Sequence, residues 1–382
     1  MPISDADWIG DDAALAETVD ALCTAERYAV DTEFHRERTY WPQVALIQVA
    51  WADRIVLIDP LAIDLAPLDK VFAGPGLAVM HAASQDIEVF DQAVGSVPSR
   101  LFDTQIAAGF LGYGTPSLTA LVEGELGFRL PKGDRLTDWL RRPLDDRQMA
   151  YAASDVAHLL EVHDRLSLRL DELDRTAWVE DENEAQRTWR PAREPDRAFL
   201  RIKEARQLRG KALGVARAVA AWRERRAAEI DVPVRHVMAD LAVVTVAQRA
   251  PSSVAELKGI RGLDDRLRRG KVADQLIDAV AEGVEVGPPP RVAGTTDHEL
   301  DRKLRPAVAL VSAWVAQLAR THRIDTALLA TRADIEELLL EGSGRLANGW
   351  RGELVGGPVR DLVDGRAALA FDGDNLVLEA RT

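Results

Sequence analysis

Tyr28-Ala29-Val30-Asp31-Thr32-Glu33-Phe34 has the pattern of a buried strand that ends in two acids. Because the side chains of a strand alternate between the two faces of its sheet, Asp31 and Glu33 lie on the same face. Two carboxylates held that close repel each other, and a divalent cation with oxygen ligands would neutralise the pair. A solvated strand end would also tolerate two acids, so this stretch alone leaves both interpretations open.

The composition of the chain is that of an ordinary globular protein. Its 382 residues, 47% hydrophobic and 29% charged, exceed one core and predict two or three domains. No apolar run approaches the length of a membrane span, and the acidic N-terminus lacks the features of a signal peptide. We therefore expect a cytoplasmic protein with no membrane partner. Cys23 is the only cysteine, which excludes an internal disulfide, and we expect it to pack in an apolar helix.

Charge is unevenly distributed along the chain. The net charge is −14, but residues 198–270 hold 16 Lys or Arg against 8 Asp or Glu, a local charge of +8. The remaining residues then carry −22. Such a polarity is typical of an acidic metal-binding body joined to a basic module that binds a polyanion.

Four more apolar runs of strand length follow the first one. Residues 44–51 and 54–60 predict an antiparallel meander with the Asp31 strand, because only a short polar turn separates them. Residues 76–82 and 101–104 predict a fourth and a fifth strand, each followed by a helical pattern. Strands that alternate with helices in this way predict a mixed sheet flanked by helices, with function at the edge where strands end.

Two predicted helices begin near these strand ends and carry further acids. Ser84 is positioned to cap the first helix, and Asp86 in its first turn either complements the helix dipole or binds a ligand. Asp145 is positioned to cap the second helix, on which Tyr151 and Asp155 share one face. The small residues around Tyr151 would let this helix approach the Asp31 strand closely.

Three separated pieces of the chain resemble the motifs of the DEDD superfamily of 3′–5′ exonucleases, in the subgroup with tyrosine in the third motif. They are Asp31-Thr32-Glu33, His81 followed by Asp86, and Tyr151-Ala152-Ala153-Ser154-Asp155. Further stretches resemble the bacterial ribonuclease D family: Arg36-Glu37-Arg38-Thr39-Tyr40 with Leu46-Ile47-Gln48, and Thr137-Asp138-Trp139-Leu140 with Arg142-Pro143-Leu144. Their order and spacing match over about the first half of the chain, which is more specific than any single motif.

The C-terminal half resembles the HRDC domain, a small helical nucleic-acid-binding module found in ribonuclease D and RecQ-type helicases. The resemblance rests on the amphipathic stretch 208–228 and the turn Lys258-Gly259-Ile260-Arg261-Gly262. A Pro-rich linker follows at 287–294, and we interpret the less basic residues beyond it by position as a second such domain, for packing or RNA contact.

The predicted fold is therefore an α/β RNase H-like exonuclease domain at 1–193, with a mixed five-stranded sheet flanked by helices. Two small all-α HRDC-like domains, at 198–284 and 295–382, complete the predicted architecture. The resemblance, and not the strand pattern alone, implies the RNase H-like character of the first domain.

The resemblance implies a site for two divalent cations, Mg²⁺ or Mn²⁺. Asp31 would bridge both ions, Glu33 and Asp155 would complete the site of one, and Asp86 would hold the other. The side chain of a tyrosine has an ordinary pKa of about 10, so the expected role of Tyr151 is to orient the attacking water. We expect His81 to end its strand with a structural hydrogen bond, since hard Mg²⁺ prefers oxygen ligands.

The resemblance also implies an RNA partner. Phe34 and Trp41 are candidates for stacking on terminal bases, with burial as the alternative for Phe34. The other candidate nucleic-acid contacts are Thr32, Lys258, Arg261, Arg223 and Arg226.

The implied activity is that of a monomeric 3′–5′ exoribonuclease that trims structured RNA, tRNA precursors above all, and releases nucleoside 5′-monophosphates. A 3′–5′ DNA exonuclease is an open alternative, because no residue identifiably reads the 2′-hydroxyl. A catalytically inactive nucleic-acid-binding scaffold is another, although the four acids and the tyrosine are all present.

Overall fold

The computed structural model describes residues 6–131, 137–190, 194–260, 262–288 and 304–381. Contacts divide the chain into two compact units, one formed by residues 1–34, 44–189 and 299–382 and the other by residues 35–43 and 190–298. The first unit thus combines both ends of the chain. Most of the predicted linker, from residue 289 onward, lies outside the described residues. Within the described ranges, no helix is both long and apolar enough to cross a bilayer.

A six-stranded mixed sheet forms the centre of the first unit. β3 runs antiparallel to β4, whereas the pairs β1 with β4, β2 with β5 and β5 with β6 are parallel. The strands β2, β5 and β6 therefore end at the same edge of the sheet. The spatial order is β1 (Asp7–Ile9), β4 (Arg54–Ile58), β3 (Gln43–Trp51), β2 (Arg27–His35), β5 (Leu77–Met80) and β6 (Leu101–Asp103).

The prediction of five strands was wrong, because β1 adds a sixth. This strand has three residues, of which only Ile9 is buried, so neither its length nor its pattern predicts a strand. It forms because it pairs with β4, with Asp7 opposite Val56 and Ile9 opposite Ile58.

In the described part of residues 12–188, eight helices accompany this sheet. Apolar residues of β2 are buried on both faces: Tyr28 and Val30 pack in the core that the first three helices cover, and Ala29 packs against α6. The helices are α1 (Asp12–Cys23), α2 (Leu68–Ala73), α3 (Ser84–Ala93), α4 (Thr104–Gly109), α5 (Leu118–Leu126), α6 (Asp146–Ala157), α7 (Leu159–Glu172) and α8 (Thr176–Thr188). Cys23, the last residue of α1, is exposed and not packed as expected, because the helix ends there.

The second unit is helical and centred on α9 (Gly210–Glu229). α13 crosses α9 so closely that a Cβ atom on Gly214 would lie 2.5 Å from the carbonyl oxygen of Gly283. Several elements of this unit pack around α9, so its buried residues lie on more than one side and do not form a single apolar stripe. The other helices are α10 (Val234–Val237), α11 (Asp240–Arg249), α12 (Val254–Leu257) and α13 (Gly270–Val286).

Residues 35–43 belong to the second unit because they bind α9 and the turn after it. The backbone N–H groups of Tyr40 and Trp41 each donate to Oδ1 of Asp231 at 3.0 Å. The hydroxyl of Tyr40 donates to Oε1 of Glu224 at 2.8 Å. Glu224 is buried and also pairs with Arg201 at 2.7 Å, so its charge is compensated.

The C-terminal residues 304–381 share one apolar core with the helices α4, α5, α7 and α8. Their elements are α14 (Leu304–His322), α15 (Thr326–Leu329), α16 (Arg332–Glu341), α17 (Gly349–Arg351), α18 (Gly357–Val363), β7 (Ala367–Phe371) and β8 (Leu376–Ala380). β7 and β8 form an antiparallel hairpin, so the prediction of an all-α C-terminal region was wrong. The alternation of apolar residues in 367–379 was too weak to predict these strands.

Two contacts show how tightly these C-terminal helices join the first unit. The Trp350 ring stacks on Trp178 with centroids 5.0 Å apart and meets Phe110 edge-on at 5.2 Å. The Asp325 N–H donates to the carbonyl oxygen of Gly109 at 2.8 Å, where any Cβ atom would clash with Leu328. The C-terminal helices are therefore part of the core of the first unit.

Replacing Trp350 with Ala is expected to destabilise the protein by about 3–5 kcal/mol, because it removes a buried ring from this shared core. Phe371 is a matched control: its ring is 65% exposed, so Phe371→Ala is expected to change stability by less than about 0.5 kcal/mol. Urea unfolding followed by circular dichroism measures both. Equal effects of the two substitutions would contradict the shared core.

Candidate active site

The two acids of β2 lie on the face of the sheet that α6 covers. Ala29 is fully buried in a cluster with Ala153 and Val156 of α6. Since side chains alternate along the strand, Asp31 and Glu33 follow Ala29 on that face. The structure therefore places the face that the two acids were predicted to share beside α6.

Helix α6 begins at a capping box and lies close to the sheet. Asp145 accepts hydrogen bonds from the backbone of Arg147 and Gln148, which confirms the predicted cap. Ala152 and Ala153 are fully buried against the strands, and such small side chains allow a close approach. Tyr151 is partly buried, with its ring 5.9 Å from that of Trp139.

Arg142 anchors the segment that leads into α6. Its guanidinium donates to both carboxylate oxygens of Asp59, at 2.6 and 2.9 Å, and to the carbonyl oxygen of Ala45 at 2.6 Å. Bidentate arginine–carboxylate pairs fix geometry as well as contributing energy. This ion pair therefore ties the start of α6 to β3 and to the end of β4.

Asp86 lies in the first turn of α3, where the hydroxyl of Thr32 donates to its Oδ1. Asp86 is only 6% exposed, and this burial raises its pKa to about 7, although the hydrogen bond from Thr32 opposes the shift. The prediction that Ser84 caps α3 was wrong, since Ser84 is the first residue of the helix, and the N-cap residue Ala83 makes no side-chain cap.

Asp103 organises the turn before α3, a role that the sequence analysis missed. Its carboxylate accepts from the backbone N–H groups of Ala82 at 3.0 Å, Ala83 at 2.8 Å and Gln105 at 2.8 Å. It therefore fixes the approach to α3 and the start of α4 together. The available signal was its place between a short strand and a helix, which is typical of an N-cap.

The electrostatics of Asp31 show which acids are gathered. Burial raises its pKa well above the usual range, and the carboxylates of Asp86, Asp155 and Glu33 raise it further, in that order. Four acids from β2, α3 and α6 thus lie within electrostatic range of one another. Charges this dense require protons or cations for compensation.

Carboxylate oxygens are the ligands that Mg²⁺ and Mn²⁺ prefer, so the chemistry of this donor set fits a hard divalent cation. As they stand, no three acids, histidines or cysteines among the described residues lie close enough together to hold an ion. Electrostatic repulsion acts over longer distances than a coordination bond. The four acids therefore lie near one another without converging on one coordination point. Their concentrated negative charge is the feature that fits a cation.

His81 takes no part in this cluster. One ring nitrogen, Nδ1, lies 2.9 Å from the hydroxyl of Thr104, and Nε2 lies 3.1 Å from the carbonyl oxygen of Pro116. The expected structural hydrogen bond at the end of its strand is therefore present.

The predicted nucleic-acid contacts next to the acids differ in exposure. Thr32 is buried and its hydroxyl binds Asp86, so its side chain supports the site and, contrary to the prediction, does not face RNA. Phe34 packs partly buried against the core of the first unit, which agrees with the burial alternative. Trp41 is partly buried in the second unit, edge-on to Tyr40 at 4.9 Å, and its stacking role stays a prediction.

Two predicted contacts of the basic module are accessible to solvent. Lys258 is exposed directly after α12, and Arg226 is partly exposed and paired with Glu229 at 2.8 Å. Arg261 lies outside the described residues. Lys258 and Arg226 therefore stay predicted RNA contacts.

Arg223 has a structural role and is not available to RNA, contrary to the prediction. Its side chain is 3% exposed and donates to Oδ1 of Asp240 at 2.7 Å and to the carbonyl oxygen of Met238 at 3.0 Å. The guanidinium thus joins α9 to the start of α11. A buried charge must be paired in this way, and burial keeps the guanidinium out of reach of a phosphate.

Comparisons with known proteins agree with this geometry. Residues 6–171 match the model of a 3′-5′ exonuclease family, and residues 212–280 match that of the HRDC domain. A ribonuclease D of Gluconacetobacter diazotrophicus is 36% identical over 370 residues, which cover 94% of this chain and 93% of the relative. A ribonuclease D of Jannaschia sp. is 38% identical over 361 residues, 91% and 92% of the two chains.

The chain belongs to the ribonuclease D family. The crystal structure of Escherichia coli RNase D superposes with a TM-score of 0.82 at 32% identity and covers 94% of this chain and 99% of that one. As a member of the ribonuclease D family, the chain is a hydrolytic 3′–5′ exoribonuclease. Membership implies dependence on divalent cations, which the carboxylate cluster fits.

Without cations, the protein is expected to lose stability as the pH rises from about 4 to about 7, between the ordinary pKa of an aspartate and the raised pKa of Asp86. The raised pKa of Asp86, about 7, means that the folded state binds its proton more tightly than the unfolded state does. Each such group then costs up to about 1.4 kcal/mol per pH unit between its two pKa values. Thermal unfolding in a chelator across this pH range measures the slope.

Two additions to this experiment test the cause. Mg²⁺ should raise the melting temperature more at pH 8 than at pH 5, because it replaces the protons. Asp86→Asn, which cannot ionise, should flatten the slope. A wild-type profile that is already flat would contradict the burial of ionisable acids at this site.

Proposed function

We propose that this member of the ribonuclease D family trims the 3′ ends of structured RNA, tRNA precursors above all, as a monomer that uses two divalent cations and releases nucleoside 5′-monophosphates. The observation that supports this most is the electrostatic convergence of Asp31, Glu33, Asp86 and Asp155 from three separate elements. Such a concentration of acids suits cation-dependent phosphodiester hydrolysis, because bound cations would compensate its charge.

In this proposal each of the four acids has a role in cation binding. Asp31 would contact both cations, Glu33 and Asp155 would complete the site of one, and Asp86 would hold the other. The cations would stabilise negative charge on the attacking and leaving oxygens during in-line displacement. Thr32 holds Asp86 in position through its hydroxyl, so the second binding position is oriented from within the sheet.

Tyr151 would orient the attacking water in the proposed mechanism. It lies four residues before Asp155 on α6, so the two side chains share a face. The neighbouring ring of Trp139, which is buried, limits the orientations open to the tyrosine ring. A hydroxyl that is held in one place can align a nucleophile without acting as its base.

The basic second unit would hold the body of the RNA. Residues 198–270 of this unit carry a local charge of +8, which attracts phosphate, and residues 212–280 match the HRDC family. The E. coli relative is described as an exoribonuclease involved in structured RNA processing, which supports the same class of substrate here. A second HRDC-like module at 295–382 is part of the proposal, with packing as its main role.

The proposed activity is tested with a 3′-extended tRNA and a single-stranded DNA of equal length, each with Mg²⁺ and with EDTA. We expect shortening of the RNA from its 3′ end, nucleoside 5′-monophosphate products and no reaction in EDTA. Faster degradation of the DNA would overturn the RNA preference, and products carrying a 3′-phosphate would overturn the mechanism.

Asp31→Ala and Asp155→Ala are each expected to abolish trimming while RNA binding, measured by filter retention, changes little. Removing a ligand from a shared cation site removes charge stabilisation from the transition state, which is commonly worth several kcal/mol. Asp146→Ala is a matched control, because this acid is exposed on the first turn of the same helix. Normal trimming by Asp155→Ala would remove that residue from the site.

Lys258→Ala is expected to impair RNA binding, whereas Arg223→Ala is expected to impair the stability of the protein. The exposed Lys258 should contribute one phosphate contact, so its loss should weaken RNA binding and lower the salt slope by about one. Arg223→Ala breaks a buried ion pair and should cost about 3–5 kcal/mol of stability. Salt-dependent binding and urea unfolding separate the two; an unchanged slope in Lys258→Ala would exclude that contact.

A further inference from the structure

Gln48 is a buried polar residue whose hydrogen-bonding groups are unused. Its side chain lies on β3 and is fully buried, and neither Nε2 nor Oε1 has a hydrogen-bond partner among the described residues. Leaving a buried amide without partners costs about 1–3 kcal/mol, and buried polar groups in native proteins are nearly always paired. An apolar residue of the same size would destabilise the fold less, so stability alone does not explain an amide at this position.

The side chain of Gln48 lies between the sheet and α6. Its neighbours two residues away on β3, Leu46 and Ala50, pack against Ala152 and Ala153 of α6 respectively. Side chains two apart on a strand share a face, so Gln48 points into the same layer. This is the layer whose small residues bring α6 close to the sheet.

Gln48 lies on the strand next to that of Asp31, and the two side chains are on the same face of the sheet. β2 and β3 are adjacent, and the short connection of residues 36–42 allows only an antiparallel pair. Ala29 and Ala50 lie in one buried cluster on the face beside α6. Asp31 follows Ala29 by two residues and Gln48 precedes Ala50 by two, so both steps lead in the same direction along the pair.

The side chains of Gln48 and Asp31 are complementary as hydrogen-bond donor and acceptor. Asp86 receives a side-chain hydrogen bond from Thr32, and Asp31 receives a backbone hydrogen bond from Thr32. A carboxylate has about four lone-pair positions, so Asp31 can accept further donors, and Gln48 has an amide N–H group without an acceptor. Carboxylates that bind metal ions are usually oriented by such a donor behind them.

We propose that Gln48 is a positioning residue of the acidic cluster, whose amide N–H donates to the carboxylate of Asp31 when the cluster holds cations. The hydrogen bond would hold the Asp31 carboxylate in the orientation that two ions share. The proposal rests on the proposed function, because it requires that Asp31 binds cations. It adds a residue of β3 to a site otherwise formed by β2, α3 and α6.

Calorimetric titration of the cation-free full-length protein with Mn²⁺ tests this role without measuring activity. Gln48→Met keeps the size of the side chain but removes the donor, and we expect it to weaken Mn²⁺ binding by roughly 10–100-fold. Its melting temperature in a chelator should stay the same or rise, because an unpaired amide has been removed. Leu46→Met is the matched control on the same face of the same strand, and its Mn²⁺ affinity should equal that of the wild type.

The combined outcomes distinguish this inference from the proposed function. Wild-type Mn²⁺ affinity in Gln48→Met, with binding lost in Asp155→Ala, would overturn the role of Gln48 alone. Retained Mn²⁺ binding in Asp155→Ala would overturn the proposed cation site itself. Gln48→Leu, which also lacks the amide, is titrated in the same way and replaces Gln48→Met if that variant does not fold. A melting temperature that falls together with Mn²⁺ affinity in every variant of Gln48 that folds would indicate a packing role and overturn the proposal.

Discussion

Mutual repulsion among buried carboxylates is the constraint on which the rest of the structure depends. Asp31, Asp86, Asp155 and Glu33 are gathered from three elements, and the pKa of Asp31 is raised by burial and by the other three. The repulsion among these carboxylates opposes their gathering. The surrounding scaffold must hold them together, through strands that end at one edge and a helix that lies close to them.

The groups that hold the acids in place are themselves polar and lie just behind the site. Asp103 binds backbone N–H groups before α3, and the Asp145 capping box fixes the start of α6. Arg142 joins the segment before α6 to Asp59 through two hydrogen bonds. Each of these charges is compensated locally, so the cluster is the part of the site where negative charge is left for a ligand. Because the site is preorganised in this way, the free energy needed to bring the acids together is supplied once, during folding, and not in each reaction cycle.

Local patterns predicted the elements that carry the acids better than they predicted long-range packing. Alternation along β2 and the cap at Asp145 are properties of short segments, so the sequence was sufficient for both. The strand β1 has three residues and exists through its pairing with β4, which no local pattern contains. Arg223 resembles its basic neighbours in sequence, but α9 is buried on several sides, and only the fold decides which arginine turns inward. Asp103 accepts hydrogen bonds from backbone N–H groups about twenty residues away, and a helix-cap pattern alone does not indicate these partners.

The stacking of Trp350 on Trp178 has a consequence for the way this enzyme is made. The flank of the nuclease formed by α4, α5, α7 and α8 is covered by residues 304–381, which the ribosome adds only after the whole second unit. A nascent chain therefore carries an apolar flank without its cover while more than a hundred residues are still being translated. Completion of the nuclease core is in this sense a late event in biosynthesis, and chaperones have a defined surface to protect until then.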